Sequence, residues 1–409
     1  MFRLPLCFIA TGIAGFLLHQ AVSFFTLSSW LVNHPRSPET WTQAHLLILG
    51  WATMIAMGAV YQLLHVVLQR HVFSERLGFV HYALFTLGTA GMLINYRLGA
   101  VMPLAFFASL TFSGIMVFAV NIGITLLRAR LWNSVTISAC GAVLCLVLTG
   151  ATGLAMGLNL AFTWAPDYHS ALFGAHLWLG MVGWFGLLIT GFSYKMLPMF
   201  YLSHGYPVRF EIAATSLWFA AVVAGAAGNL LQLSRYVQSA ALLLLTVSLL
   251  CYLAHMRLIY KRKHKFPGSG IAFTIASAAC LAFGAAVWTG WSFYAPEAAV
   301  SPEGMLAAGW FYLWGWVGFT ILGYMSKIVP FLWWTRKYGN LVGKQKTPSM
   351  ADLLNDRHVK HSLIAIAGAL IVALAGLVGE WPAVSALGGT LLAAGCFVYM
   401  TLIVNVFRK

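Results

Sequence analysis

Twelve segments of the sequence are long and apolar enough to cross a lipid bilayer, and they limit the fold more than any other feature. A transmembrane helix needs about 20 mostly apolar residues to cover a hydrocarbon core roughly 30 Å thick. Because lipid offers no hydrogen-bond partner to an open sheet edge, segments of this length predict a helical bundle. The predicted segments are 4–29, 42–68, 77–97, 102–127, 134–160, 170–200, 212–233, 236–259, 270–293, 305–333, 361–379 and 383–406.

The composition also indicates a chain that is embedded in the bilayer. Hydrophobic residues make up 61% of the chain and charged residues 8%, whereas soluble globular chains carry about a quarter charged residues. The first segment follows a single arginine and has no small-residue cleavage site, so we expect it to be kept as a helix. The sequence therefore predicts an all-α membrane protein whose residues 1–409 form one polytopic domain in contact with lipid.

The formal net charge of +15 raises the question of an anionic partner such as nucleic acid. The basic residues, however, cluster in alternate loops and at the C-terminus, while most acidic residues fall in the other loops. This is the positive-inside pattern, so we expect both termini in the cytoplasm of a prokaryotic inner membrane and no nucleic-acid partner. The basic clusters are Arg70 with Arg76, Arg128 with Arg130, Arg209, the run 257–265, the run 336–346 and Arg408 with Lys409.

All six cysteines lie within apolar segments. None belongs to a CxxC or CxxCH motif, so the sequence gives no sign of a zinc knuckle or of covalently attached haem. We interpret them as small packing residues.

An internal repeat organises the chain. A glycine-tryptophan pair is followed by a glycine eight places after the first glycine, and the pattern recurs 133 and then 132 residues later. Further on, two of the three copies have a tyrosine and two have a proline. The copies are Gly50-Trp51 with Gly58, Tyr61 and His65; Gly183-Trp184 with Gly191, Tyr194 and Pro198; and Gly315-Trp316 with Gly323, Ser326 and Pro330.

This spacing predicts three repeats of four helices each, over approximately 1–133, 134–266 and 267–409, with the motif on the second, sixth and tenth helices. The glycines allow close backbone approach between helices, and the tryptophans are expected to fill the space between them. We therefore predict a twelve-helix bundle with pseudo-threefold symmetry.

The chain has 13 histidines, and 12 of them form two groups. Those on the basic side are expected to lie in loops or at helix ends, where they cap helices or meet the interface. Those on the other side lie in or next to the first, second and sixth segments at similar depth. The basic-side histidines are His65, His71, His81, His204, His255, His264, His358 and His361, and the others are His19, His45, His169 and His176.

The second group offers candidate ligands for a cofactor. A neutral imidazole that faces the interior of a bundle suits ligation of haem iron or copper. His169 and His176 are seven residues apart, about two turns on one helix face. The alternative interpretation is that each histidine makes a hydrogen bond between helices, and the sequence leaves it open.

The repeat, the helix number and these histidines resemble the haem-copper oxidase subunit I superfamily, above all its nitric oxide reductase and C-type oxidase branches. The stretch "TQAHLLILGW" is similar to the family's second helix, which places a low-spin haem ligand at His45. The stretch "FGAHLWLGMVGWFGLLITGFSYKMLPMF" is similar to the sixth helix, which places a copper or non-haem iron ligand at His176. The resemblance spans the whole chain, and "GWFYLWGWVGFTILGYMSKIVPFLWW" is similar to the tenth helix.

The sequence departs from the family at the remaining ligands. The family's tenth helix carries two haem-ligating histidines where this chain has Ala308 and Trp310. Its seventh helix carries a histidine pair, whereas the stretch 223–233 here contains none. No Asp or Glu lies in the middle of a segment, although proton uptake usually relies on buried carboxylates. We therefore do not expect a full terminal oxidase, a nitric oxide reductase or a proton pump.

The resemblance implies a haem b protein that transfers electrons in a respiratory chain or binds a diatomic gas, and an oxidoreductase if it is an enzyme. His45 would be one axial ligand, with His19 as the first candidate partner and His176 as the alternative. A second metal, such as copper, would use His176 with His169. The alternative is a transporter, a copper-handling protein or an assembly factor for a respiratory complex on the same scaffold. The electron donor and a homo-oligomeric state are left open.

Overall fold

The computed structural model describes residues 3–31, 37–295 and 302–409, which form twelve long apolar helices and, within these ranges, no β-strand. The prediction of an all-α membrane protein with twelve transmembrane helices is confirmed. The helices are α1 (Arg3–Phe25), α2 (Pro38–Leu68), α3 (Glu75–Leu98), α4 (Val101–Ala129), α5 (Ser134–Phe162), α6 (Pro166–Tyr201), α7 (Arg209–Leu230), α8 (Arg235–Lys261), α9 (Ser269–Tyr294), α10 (Gly304–Leu341), α11 (Asp356–Val378) and α12 (Pro382–Arg408).

Some helix ends differ from the predicted ones, because local backbone chemistry sets them and not hydropathy. α1 ends at Phe25, before its predicted end at 29. Leu27 and Ser28 take positive φ angles of 50° and 53°, and a right-handed helix cannot continue through them. α11 begins at Asp356, five residues before predicted, because the Asn355 side chain accepts a hydrogen bond from the Arg357 amide and caps it.

The helices follow one another around a closed ring. Each helix packs against the next one along the chain, and α12 packs against α1. The motif helices α2, α6 and α10 are the longest, with 31, 36 and 38 residues, and they meet in the middle. There the Tyr312 hydroxyl on α10 donates to the Met181 carbonyl on α6 at 2.9 Å, and Trp51 on α2 stacks against Trp314 on α10.

Each of the three motif glycines lies against the preceding helix. A Cβ added at Gly58 would lie 2.9 Å from Cβ of Phe8 on α1, and one at Gly191 would lie 2.5 Å from Cβ of Ser138 on α5. At Gly323 it would lie 2.4 Å from the Gly270 carbonyl oxygen on α9. The glycines thus permit the expected close approach, and the paired tryptophans are buried, with Trp51, Trp184 and Trp316 at most 1% exposed.

The motif also coincides with a change of helix type. A π-helical segment covers the glycine-tryptophan pair in each of the three helices, and regular α-helix continues on both sides. Such segments are rare and often mark functional sites. The threefold symmetry of the whole twelve-helix array stays a prediction. The π-helical segments are Leu46–Thr53, Trp178–Gly186 and Leu313–Gly318.

The charges divide the molecule into two faces. One face, which we call the basic face, holds the N-terminal end of α1, the C-terminus and the connectors 69–74, 130–133, 202–208, 262–268 and 342–355. Within the described ranges, the only arginines at the opposite face are Arg97 and Arg235, and no lysine lies there. Arg97 is engaged in an exposed ion pair with Glu39.

Two histidines of the basic side are not interfacial, so the expectation for them was wrong. His81 on α3 is fully buried, where it stacks on Phe8 with ring centroids 4.9 Å apart and shares a hydrogen bond with the Tyr61 hydroxyl at 3.2 Å. His255 on α8 is fully buried 3.3 Å from a carboxylate oxygen of Glu211. Both are tied into the bundle by polar partners that the sequence spacing does not reveal.

Candidate functional site

His45 lies on the first turns of α2, in the half of the bundle nearest the opposite face. Its Nδ1 is 2.8 Å from the carbonyl oxygen of Trp41, one turn earlier. Because a carbonyl only accepts, Nδ1 carries the proton and donates, so Nε2 holds the lone pair. The ring also lies 4.9 Å from that of Tyr96 on α3, which fixes its orientation further.

His176 on α6 is held in the same manner. Its Nδ1 is 3.0 Å from the carbonyl oxygen of Thr149 on α5 and 3.3 Å from the Thr152 hydroxyl. The ring packs against α5 at Gly153, where an added Cβ would be 3.0 Å from its Cε1. Nδ1 therefore donates to the carbonyl, and Nε2 is again the nitrogen that keeps a lone pair.

His45 and His176 come from different repeats and lie in the same half of the bundle, within electrostatic range of each other. Both residues are partly exposed, whereas most residues of α2 and α6 that follow the π-helical segments are buried. An imidazole whose Nδ1 is anchored on a backbone carbonyl is the arrangement that proteins use to orient metal-ligating histidines. The pair can therefore supply two preoriented Nε2 ligands.

His19 has a different environment. It is buried on α1 and lies next to Gln43 on α2. Positions 43 and 45 are about 200° apart around the helix, so His19 and Tyr96 flank different sides of α2. His19 also lines a cavity of about 20 Å³ together with Trp310 and other residues of α1, α10, α11 and α12.

His169 lies in the first turn of α6, after a short 3-10 turn, and is partly exposed. The helix continues without a break to His176, as expected for two residues on one face. Their Cα atoms are roughly 10 Å apart along the helix axis. Within the described ranges, no group of three or more His, Cys, Asp or Glu residues has metal-binding geometry. A metal held by His169 and His176 stays a prediction.

The positions that differ from the oxidase family take part in packing. Trp310 is 6% exposed and packs within the bundle. On α7, the Asn229 side chain donates to the Gly225 carbonyl at 2.8 Å, and a Cβ added at Gly174 on α6 would clash with it. Gly225 in turn lies under the Trp178 ring. Helix contacts fill the stretch that carries ligands in the family.

Sequence reasoning missed the residues that hold the histidine rings. Tyr96, Thr149, Thr152 and Gly153 contact His45 or His176 from neighbouring helices. A Thr-x-x-Thr-Gly run in an apolar helix is also common in ordinary packing, so its composition alone carries no functional signal.

Comparisons of the chain with protein-family models and with curated proteins find no match.

Proposed function

We propose that this chain binds haem b through His45 and His176 and serves in electron transfer or in binding a diatomic gas. The observation that carries the proposal is that two imidazoles on different helices, in the same half of the bundle, each have Nδ1 anchored on a backbone carbonyl. Bis-histidine ligation needs two neutral imidazoles and no third protein ligand. His176 replaces His19 as the preferred partner because His19 lies beside Gln43, about 200° around α2 from His45.

The residues around the pair fit this role. The Trp41 and Thr149 carbonyls hold the neutral tautomer that ligates metal, and Tyr96 restricts rotation of the His45 ring. Haem b, when bound, would supply a one-electron redox centre. The resemblance to the haem-copper oxidase family supports the same cofactor, and the missing histidines of α7 and α10 argue for one haem without a dinuclear centre. The electron donor and any partner subunit remain outside the proposal.

The test is an absorption spectrum of the protein purified from haem-replete cells, oxidised and dithionite-reduced, with iron and copper analysis of the same sample. We expect a Soret band, a single type b α band and about one iron per chain. His45→Gly should lose the six-coordinate spectrum, and added imidazole should restore it. His358→Ala is the matched control, because His358 is exposed on the basic face and should leave the spectrum unchanged.

A colourless, iron-free protein would refute the haem proposal. An unchanged six-coordinate spectrum in His176→Gly, with loss in His19→Gly, would return the second ligand to His19. Both variants keep the backbone carbonyls in place, so the comparison isolates the imidazole.

A copper-handling protein is the second candidate. Two imidazoles without a third ligand also suit copper(I), and within the described part of the chain no cluster of three ligands joins them. Copper without iron in the metal analysis, lost in both His45→Gly and His176→Gly, would favour this function.

The proposal also includes the membrane that holds the chain and the side that its termini face. The chain is an integral membrane protein by its twelve apolar helices. We place the basic face, and with it both termini, in the cytoplasm of a prokaryotic inner membrane, which sets the histidine pair in the outer half of the bilayer.

A further inference from the structure

A cavity of about 80 Å³ lies in the middle of the bundle, between α2, α6 and α10. It lies on the basic-face side of the three π-helical segments, away from the histidine pair. Its wall is almost entirely apolar. The lining residues are Ile9, Ile55, Ala56, Ala59, Leu63, Phe185, Leu188, Ile189, Phe192, Met196, Thr320, Ile321, Tyr324, Met325, Ile328 and Val329.

The lining follows the sequence repeat. Four positions of the motif contribute to the wall in every one of the three helices, and the first of them comes two residues after the π-helical segment ends. A cavity left by accidental misfit has no reason to select the same positions three times. The matching sets are 55, 188 and 320; 56, 189 and 321; 59, 192 and 324; and 63, 196 and 328.

The polar groups of the wall cannot hold water well. The Tyr324 hydroxyl is already hydrogen-bonded to the Ser193 hydroxyl at 2.6 Å. The Thr320 hydroxyl is buried and has no hydrogen-bond partner within the described ranges. A buried water needs two to four polar partners, and one hydroxyl does not supply them. We therefore expect the cavity to be dry although its volume exceeds the roughly 10–15 Å³ that one water requires.

We propose that this cavity is a binding site for a small apolar molecule, of the size of xenon or a diatomic gas. Dry apolar cavities of comparable scale in other proteins take up xenon or small hydrocarbons, because a guest restores the dispersion contacts that the empty wall lacks. The single hydroxyl of Thr320 can donate one hydrogen bond to a guest with a weak acceptor. The proposal does not depend on haem at His45 and His176.

The test uses the full-length protein in detergent or nanodiscs and follows xenon binding by hyperpolarised xenon exchange spectroscopy, with a xenon-pressurised crystal for location. We expect saturable binding at one site in the wild type. Ala59→Leu and Ala56→Leu place a side chain into the cavity and should each weaken xenon binding at least tenfold. Ala10→Leu is the control, since Ala10 lies exposed on α1 beside Ile9 and outside the cavity wall.

The absence of saturable binding in the wild type would overturn the proposal, as would equal binding in both cavity variants or ordered water filling the site. Thermal unfolding of each variant separates loss of the site from loss of the fold. Because xenon binding is measured without haem, a colourless protein that binds xenon would refute the haem proposal and retain this one.

Discussion

At the scale of single residues, the candidate site depends on how the two imidazoles are held. The His176 ring is fixed by the Thr149 carbonyl and by close packing against Gly153. A Cβ added at Gly153 would press on Cε1 and Nδ1 of the ring, so it moves the imidazole while the residue stays histidine. That separates the position of the ligand from its chemical identity.

We expect Gly153→Ala to weaken cofactor binding by at least tenfold, because the new Cβ would lie 3.0 Å from Cε1 of His176 and displace the imidazole. The affinity is measured by haem titration of the apo protein, followed in the Soret band. Gly123→Ala is the matched control, since a Cβ there meets no atom within 4 Å. Equal affinity in the two variants would contradict the proposed position of the His176 ring.

His81 belongs to the packing of the first repeat, and we expect its replacement to cost stability. His81→Ala removes a ring that contacts Phe8 and Phe118 at 4.9 Å, so the free energy of unfolding should fall by about 3 kcal/mol. His81→Phe keeps ring contacts and loses the hydrogen bond with Tyr61, so it should cost about 1 kcal/mol. Thermal unfolding in detergent measures both. An unchanged midpoint for His81→Ala would show that the ring contributes nothing.

The two kinds of histidine could not be separated from the sequence. His45 and His81 both occur on apolar segments, and hydropathy treats them alike. Their roles depend on neighbours from other helices, such as Tyr96 for one and Phe118 for the other. The proposed pairing of His45 with His176 also joins two repeats, and the periodicity within one helix cannot predict it.

At the scale of helices, the glycine motif was predicted correctly and its π-helical geometry was not. Apolar residues with small neighbours indicate close helix contact, and Gly323 does meet Gly270 on α9. A π-helical segment differs from an α-helix only in which carbonyl each amide reaches. The helix propensities of the residues in Leu46–Thr53 do not distinguish the two hydrogen-bonding patterns.

We expect Gly323→Ala to destabilise the contact between α9 and α10. The added Cβ would lie 2.4 Å from the Gly270 carbonyl oxygen, so the helices must separate, at a cost of about 1–3 kcal/mol. Gly368→Ala serves as control because Gly368 is at an exposed position of α11, where an added Cβ meets no atom within 4 Å. Thermal midpoints in detergent give the comparison, and a Gly323→Ala midpoint at or above that of the control would contradict the close approach.

At the scale of the whole molecule, closure of the ring sets where polar and apolar sites can lie. Contact between α12 and α1 leaves α2, α6 and α10 shielded from lipid along their inner halves. His45 and His176 lie on one side of the π-helical segments along α2 and α6, and the apolar cavity lies on the other side. The number of helices could be predicted from the lengths of the apolar segments. The levels of the two sites depend on how the helices pack, which the sequence alone does not show.

The orientation of the two faces is the prediction that belongs to the entire chain. Lysines and arginines near segment ends stay on the cytoplasmic side during insertion, so the basic face should be cytoplasmic. In a variant whose six native cysteines are replaced, a membrane-impermeant maleimide added to intact cells should label Trp164→Cys and Trp381→Cys, both exposed on the opposite face. Lys263→Cys on the basic face should react only after the cells are opened. The reverse labelling would place the histidine pair in the cytoplasmic half of the bilayer, and an electron donor would then have to be sought on that side.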